Sequence, residues 1–384
     1  MTKRALICGC NYPGSDAQLN GCINDCMAMR SLLTQHFGFA DGDITMMLDT
    51  DASTPSPTGA NIKAKLRELV ASTQSGDVLF FHFSGHGTQV PDDGESDGFD
   101  EAICPTDMNV IADDDLRDIF SKLAPGVKLT MVADCCHSGT LLDHTAIAIS
   151  GPKAGEAVPN LGGLLGGLLG GRGVDGSQIK NRALPTNTFL DMLSSKLGTN
   201  VGKGNIRSSL VSLFGSSSSR KAVNYSQLAQ QASAAYAGFQ KGNYSACMPF
   251  LKSVFAACGG GGGAPAAGGP APGEPALAVS HTPGASGTKE QPLPDHVGIL
   301  ITGCQSHETS ADACPSGNPK EAFGALSNGI NTVLTAHFKQ NPGAPISYRT
   351  LVTGVREALA RSGYSQNPCL ECSPANADSN FILP

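Results

Sequence analysis

An α/β fold with a mostly parallel central sheet flanked by helices is what the sequence predicts, on three observations. Short apolar runs of strand type recur at Lys3 to Gly9 (KRALICG), Ile44 to Leu48, Val78 to Phe83 and Val127 to Ala133. Between them lie stretches with helical apolar spacing, and alternation of β and α with single crossovers means a parallel sheet covered on both faces. Two of the runs stop abruptly in small and reactive residues, SGHG after VLFFHF and DCCHSG after VKLTMVA. The carboxyl ends of strands are where open α/β sheets place their chemistry.

The elements follow in order. The first strand runs into the turn Asn11-Tyr12-Pro13-Gly14, and a helix is predicted over Ala17 to Phe37, with Leu19, Ile23, Cys26, Met29, Leu32 and Leu33 on one face. Asp41 to Asp43 cap a turn into the second strand. A loop of Thr, Ser and Pro leads to a helix over Asn61 to Ser72 carrying Ile62, Leu66, Leu69 and Val70. An acidic loop follows His86, then a helix near Asp115 to Leu123 and the strand that ends before Cys135. From Gly151 to about Pro294 the character changes. The polyglycine and Pro-rich run at 258–275 reads as flexible linker, since it cannot bury enough apolar surface to fold. Asn187 to Leu197 and, with interruptions, Asn224 to Cys258 look helical. His296 to Thr302 resumes a strand, and helices over Ala322 to Phe338 and Tyr348 to Arg361 complete the cover of the sheet.

Composition narrows the function classes. The chain has 384 residues and a net charge of −7, which does not favour nucleic acid or an anionic membrane as a partner. Met1-Thr2-Lys3-Arg4 leads straight into a strand, so no signal peptide is expected, and no run reaches the length of a membrane span. A cytoplasmic setting is expected. Thirteen cysteines are an odd number; Cys8, Cys10, Cys22, Cys26, Cys104, Cys135 and Cys304 read as free buried thiols. Cys369 and Cys372 form a lone CxxC, which without a second pair is not a zinc site.

If the strands ending at His86 and Cys136 are neighbours, roughly 4.8 Å apart, the two side chains face one cleft as a nucleophile and its base. The thiolate is the reactive form of cysteine, so a partner base helps, and His86 can return the proton to a leaving amine. Gly85 and Gly87 let backbone approach a substrate closely. Successive strand residues point to opposite faces, so either Cys135 or Cys136 aims at the cleft, not both. A redox or metal reading of DCCH is the alternative.

HFSGHGTQ, the DGFDE after it, VADCCHSG and GCQSHETSAD together resemble a metacaspase, in the clan of caspases and legumains. The long insert resembles the type II architecture. The resemblance covers residues 1–146 and about 295–384. It implies a caspase-like three-layer sandwich with a long, partly disordered insert: a catalytic His/Cys domain over 1–150, a linker over 151–294 and a C-terminal domain over 295–384. It also implies a monomeric cysteine endopeptidase acting on proteins or peptides with Arg or Lys before the scissile bond. The family's nucleophile directly precedes His-Ser-Gly, here Cys136, which leaves Cys135 to packing. Gly87 and Cys136 N–H groups would form the oxyanion hole, flanking the reacting carbonyl. Matching pocket positions are Asp25, Asp134, Ser84 and Cys22, and a carboxylate pair suits a guanidinium.

The segment 92–118 is rich in hard oxygen ligands, which suggests calcium, though the spacing is not an EF-hand. By resemblance the ligands are Asp100, Asp113, Asp114 and Asp143, with Asp97 and Glu101 as substitutes. A basic residue in the insert of type II relatives occupies the active site until self-cleavage. Arg182 in KNRALP matches that role, with Lys180, Lys196, Arg207, Arg220 and Lys221 as competitors. The rival readings are a relative specific for Asn or Asp, against which the acidic pair counts, and a non-proteolytic scaffold or quality-control factor.

Overall fold

The computed structural model describes residues 1–91, 99–136, 141, 147–150, 178–241, 245, 248–257, 298–305 and 308–383. In chain order these form β1 (Lys3–Gly9), α1 (Cys22–His36), a 3-10 turn at Asp41–Asp43, β2 (Ile44–Leu48), α2 (Gly59–Ala71), β3 (Val78–Ser84), β4 (His86–Pro91), β5 (Phe99–Cys104), β6 (Ile111–Ala112), α3 (Asp113–Phe120), β7 (Lys128–Asp134) and β8 (Ile147–Ile149). The insert contributes β9 (Gln178–Asn181), α4 (Thr186–Leu197), α5 (Ile206–Phe214), α6 (Arg220–Gln240) and α7 (Met248–Ala257). Last come β10 (Ile299–Thr302), β11 (Ala311–Cys314), β12 (Phe323–Gly324), α8 (Ala325–Gln340), α9 (Tyr348–Arg361), β13 (Cys369–Glu371) and α10 (Pro374–Ala377).

A seven-stranded sheet in the order β2-β1-β3-β7-β10-β13-β8 forms the middle layer. The five strands from β2 to β10 are parallel, and β13 runs antiparallel between β10 and β8. Alternation along the strands feeds two cores. Leu79, Phe81 and Phe83 of β3 with Leu129, Met131 and Ala133 of β7 pack against Ile62 and Leu66 of α2, Ile119 of α3 and Phe189 of α4. On the opposite face Val78, Phe80 and Val132 meet Met29 of α1, Ile330 of α8 and Val355 of α9. Strands buried on both sides read as continuous apolar runs, which is why they were legible. Three helices start where a hydroxyl caps them: Thr58 accepts from the Asn61 N–H, Ser347 from the Thr350 N–H and Ser373 from the Asn376 N–H.

Several boundaries differ from the sequence reading. Helix α1 begins at Cys22 rather than Ala17, because the preceding turn is pinned from outside. The Asp49 carboxylate accepts from the Asn11 and Tyr12 N–H groups at 3.0 and 2.7 Å, and Asn11 Oδ1 accepts from the Cys22 N–H. The described part of the acidic loop is not loop. Strands β4, β5 and β6 form an antiparallel sheet through it, and α3 starts at Asp113. Strand β13 lies on the CxxC, and α5 was not foreseen. A further three-stranded sheet has the order β12-β11-β9.

The described residues group into two compact units, one drawn from Met1–Val223 and Pro292–Pro384, the other from Asn224–Gln291. Residues 178–223, expected as linker, therefore belong to the body of the first unit, with Leu184, Leu193, Ile206 and Leu210 in its core. In the second unit, Ser253 of α7 bonds Gln231 of α6. The glycine-rich stretches 151–177 and 258–297 lie outside the described residues. Among the described residues no helix is long and apolar enough to cross a membrane, and the cysteines are free thiols.

Candidate active site

Strands β3 and β7 are adjacent and parallel with Ser84 opposite Asp134. The residues that follow each strand, His86 on one and Cys136 on the other, therefore emerge at the same edge. The turn between β3 and β4 is crowded. A Cβ on Gly85 would lie 2.7 Å from Tyr12 Oη, and one on Gly87 only 1.7 Å from the Cys136 carbonyl oxygen. Tyr12, which sequence reasoning missed, anchors this turn. It adopts φ 50°, donates its hydroxyl to the Cys104 carbonyl, accepts from the His86 N–H at 2.8 Å and packs its ring 4.9 Å from the imidazole.

The His86 ring is buried, with Nε2 2.7 Å from the Ala17 carbonyl oxygen. A carbonyl only accepts, so the proton is assigned to Nε2 and Nδ1 keeps its lone pair. That Nδ1 is buried without a hydrogen-bond partner. Burial lowers the ring to about 4, against the pull of its hydrogen bond to the Ala17 carbonyl. His86 is thus a neutral base.

The two cysteines part as strand alternation requires. Cys135 joins Ala133 and Met131 in the core. The Cys136 sulfur instead lies among polar groups: it accepts from the Ser310 N–H at 2.8 Å and lies 3.2 Å from Asn181 Oδ1. Cys304 is also beside it, its thiol pushed well up by a hydrogen bond to Cys136 and by burial.

The insert runs through this cleft. Strand β9 pairs antiparallel with β11, Lys180 opposite Asp312 and Asn181 opposite Ala311. Beyond it the Arg182 N–H donates to the Ser310 carbonyl at 3.0 Å, and the Arg182 carbonyl accepts from the Gly87 N–H at 3.0 Å. Leu184 N–H returns a bond to the Gly87 carbonyl at 2.8 Å, and the Thr88 hydroxyl donates to the Leu184 carbonyl. The segment is held on both sides as an added strand, a common mode of peptide recognition.

Arg182 fills a closed pocket and has no exposed surface. Its Nη2 lies 2.8 Å from Asp25 Oδ2 and 2.9 Å from Asp312 Oδ1; its Nη1 lies 3.3 Å from Asp134 Oδ1 and donates to Ser84 Oγ at 2.8 Å. Asp312 is the residue that sequence reasoning missed here, although it ends the GCQSHETSAD stretch. Each carboxylate has further donors: Ser84 Oγ and Gly324 N–H on Asp25, Ser310 Oγ and Ser327 N–H on Asp134, Asn20 and Gly21 N–H on Asp312. Burial pushes Asp25 up to about 6, with Arg182 pulling it back, so it is ionised at neutral pH. Burial also raises the Cys22 thiol, again against Arg182. Gly324 makes the space: a Cβ there would stand 2.3 Å from both Arg182 Nη1 and Asp134 Oδ2. Lys180 points elsewhere, to the Gln18 carbonyl.

Farther along, Asp100 of β5 and Asp113 and Asp114 of α3 bring carboxylate oxygens within 4.8 Å of one another, all three side chains buried. The Lys221 ammonium lies 2.5 Å from Asp100 and 3.0 Å from Asp114, and Arg117 pairs with Asp114. Hard oxygen donors already gathered around one cation fit calcium chemistry. Glu101 is buried next in β5; Asp97 and Asp143 lie outside the described residues. Asp115 turns away, pairing with Lys63 and accepting from the Arg220 N–H.

A second histidine–thiol contact exists. Cys26 Sγ lies 3.9 Å from His82 Nδ1, and His82 Nε2 3.1 Å from Ser327 Oγ. Both residues are fully buried, and burial holds the thiol high and the imidazole down at about 4. Cys26 packs with Met29, Phe80 and Ile330 in the core.

The family description "Metacaspase, peptidase C14 domain" matches residues 3–145. Metacaspase-4 of Arabidopsis thaliana is 37% identical over the whole of both chains. The chain belongs to the metacaspase family. It is a cysteine peptidase of the caspase clan, with a central sheet between helical layers. Metacaspase-1 of Emericella nidulans, 48% identical, matches only 37% of this metacaspase and 37% of its own length, whereas the Arabidopsis match runs through the insert, as the type II arrangement requires. A solved protein from Geobacter sulfurreducens shares the fold at TM-score 0.52 and 19% identity, over 100% of this chain and 99% of its own.

Proposed function

We propose that this metacaspase is a calcium-dependent endopeptidase that cleaves after Arg or Lys and is made as a zymogen, activated by self-cleavage after Arg182. The observation that carries the reading is the Arg182 guanidinium against Asp25, Asp134 and Asp312, with no exposed surface. Buried carboxylates without a counter-cation are costly. Once the insert is cut and leaves, the same three groups demand a basic side chain from a substrate.

In this reading Cys136 and His86 are the catalytic pair. The thiol proton passes to His86 Nδ1, and the sulfur attacks the carbonyl carbon of Arg182. The carbonyl oxygen gains charge against the Gly87 N–H, with the Cys136 N–H as the second donor. Collapse breaks the C–N bond, and the proton on His86 goes to the departing Ala183 nitrogen. Water, deprotonated by His86, then hydrolyses the thioester, freeing the Arg182 carboxylate and the thiol.

Asp100, Asp113 and Asp114, with Asp143, are the residues that would hold calcium. When bound, the ion supplies the positive charge that these carboxylates now draw from Lys221. The ligands do not form a preformed twelve-residue loop, so weak affinity is expected, toward the extracellular-module end of the calcium range. Action as a monomer in the cytoplasm on protein or peptide substrates completes the proposal.

The test is N-terminal sequencing of fragments formed on calcium addition in wild type, Cys136→Ala and Arg182→Gln. A new N-terminus at Ala183 that is absent from both variants is the expected result. Full processing in a chelator, or cleavage elsewhere in the insert alone, would overturn the reading.

A further inference from the structure

The side chain of Asn181, immediately before the proposed cleavage residue, performs a task that neither the pocket nor the catalytic pair explains. Its Oδ1 lies 3.2 Å from the Cys136 sulfur and accepts the Ala183 N–H at 2.9 Å. The amide oxygen has no proton to give, so the thiol is the donor in the first contact. The Ala183 N–H belongs to the peptide bond that cleavage after Arg182 would break. One oxygen therefore holds both the proton that must leave the sulfur and the amide that must become the leaving group.

We propose that Asn181 is a substrate-borne brake, which holds the insert in the cleft as a poor substrate until its side chain turns away. The inference rests on the self-cleavage reading and deepens it. Two effects act in the same direction. A thiol that donates to Asn181 is not donating to His86, whose Nδ1 is left without a partner. If the thiolate formed, it would face the lone pairs of that same oxygen. Meanwhile, accepting the Ala183 N–H draws the nitrogen lone pair further into the amide, giving the C–N bond more double-bond character and the carbonyl less electrophilicity.

The brake acts on a bond that is otherwise set for attack. The Arg182 carbonyl is already on the Gly87 N–H, its side chain is in the pocket, and Ser310 holds both the sulfur and the Arg182 N–H. Strand β9 fixes Asn181 by backbone pairing to Ala311, so release needs rotation of one side chain, not loss of the strand. A residue before Arg that lacks an acceptor at this reach leaves the thiol proton to His86. The same side chain is then a specificity determinant: substrates with Asn before the basic residue bind well and turn over slowly.

The experiment has an arm in cis and an arm in trans. In cis, the first-order rate of the Arg182–Ala183 cut after calcium addition is measured in wild type, Asn181→Ala and Asn181→Asp, with melting temperatures recorded for each. Asn181→Ala is expected to be cut about three- to tenfold faster, the weight of one net hydrogen bond, and Asn181→Asp more slowly than wild type. In trans, activated wild-type enzyme is given the hexapeptides KNRALP and KARALP. The Asn peptide is expected to show the lower kcat with an equal or lower KM. Equal or slower cutting of a folded Asn181→Ala chain, or an Asn peptide with the higher kcat, would overturn the brake. If wild type is not cut after Arg182, the processing reading falls, while the peptide pair still decides the brake.

Discussion

Asp312 is the residue whose removal separates recognition from chemistry most cleanly. It touches Arg182 but lies in no position that handles the reacting atoms, and Asn20 and Gly21 N–H groups hold it in place. Asp312→Asn keeps the shape and removes one of three charges. Its kcat/KM on Arg peptides should fall about 30-fold or more, the lower end of the range for breaking one partner of a buried charge pair, with KM carrying most of the change. An unaltered KM would mean that Asp312 is not part of the pocket. The adjacent cysteines give a sharper contrast. Cys136→Ala should abolish hydrolysis, whereas Cys135→Ala removes a core thiol and should leave activity within about tenfold. A dead but folded Cys135→Ala beside an active Cys136→Ala would reverse the assignment.

At the scale of elements, two segments decide whether the site can form. Strand β12 passes so close to the pocket that Gly324 has no room for a side chain. Gly324→Ala pushes a methyl group against Arg182 and Asp134; self-processing and Arg-peptide binding should both be lost while the fold survives. A melting temperature near wild type together with a KM raised at least about tenfold is the expected pair of readings. Normal KM would mean that β12 yields easily. Near the start of α6, Lys221 sits on Asp100 and Asp114 and competes with any ion for them. Lys221→Met should bind calcium more tightly, by calorimetry on a chain also carrying Cys136→Ala, and should melt lower without calcium because the carboxylates repel one another. Unchanged affinity would argue that the ion binds elsewhere.

Across the whole molecule, two buried histidines link stability to pH. His82 and His86, on different strands, are both held near 4 by burial, against about 6.5 in an unfolded chain. Below 6.5 the unfolded state takes up protons that the folded state refuses, so stability is full above that value and falls as pH drops toward 4. The loss should approach roughly 2–3 kcal/mol per histidine. Denaturant midpoints measured from pH 7.5 to 4.5 should show it, and His82→Gln, which leaves the catalytic cleft alone, should reduce the slope. A flat profile in wild type would mean that the rings are wetter than their burial implies.

Much of the architecture was legible because it is local in origin. The parallel strands are apolar runs buried on both faces, α9 begins at a serine cap, and Cys135 and Cys136 part by the period-two alternation that any strand imposes. The reactive ends at His86 and Cys136 stand out for the same reason, since small residues stop an apolar run. What the sequence left open depends on chain segments that meet from afar. Asp312 reaches Arg182 across 130 residues of sequence, and Tyr12 reaches His86 across 74; neither has a local pattern to announce it. The start of α1 was misplaced because Asp49, on another segment, binds the turn before it. The insert looked like linker by composition, yet 178–223 is built into the first unit, because pairing with β11 and burial of Leu184 and Phe189 outweigh weak local propensity. Periodicity and punctuation come from each residue's own chemistry and are written in order along the chain; a pocket, a counter-cation and a hydrogen bond to a scissile amide exist only once distant groups share a dry interior.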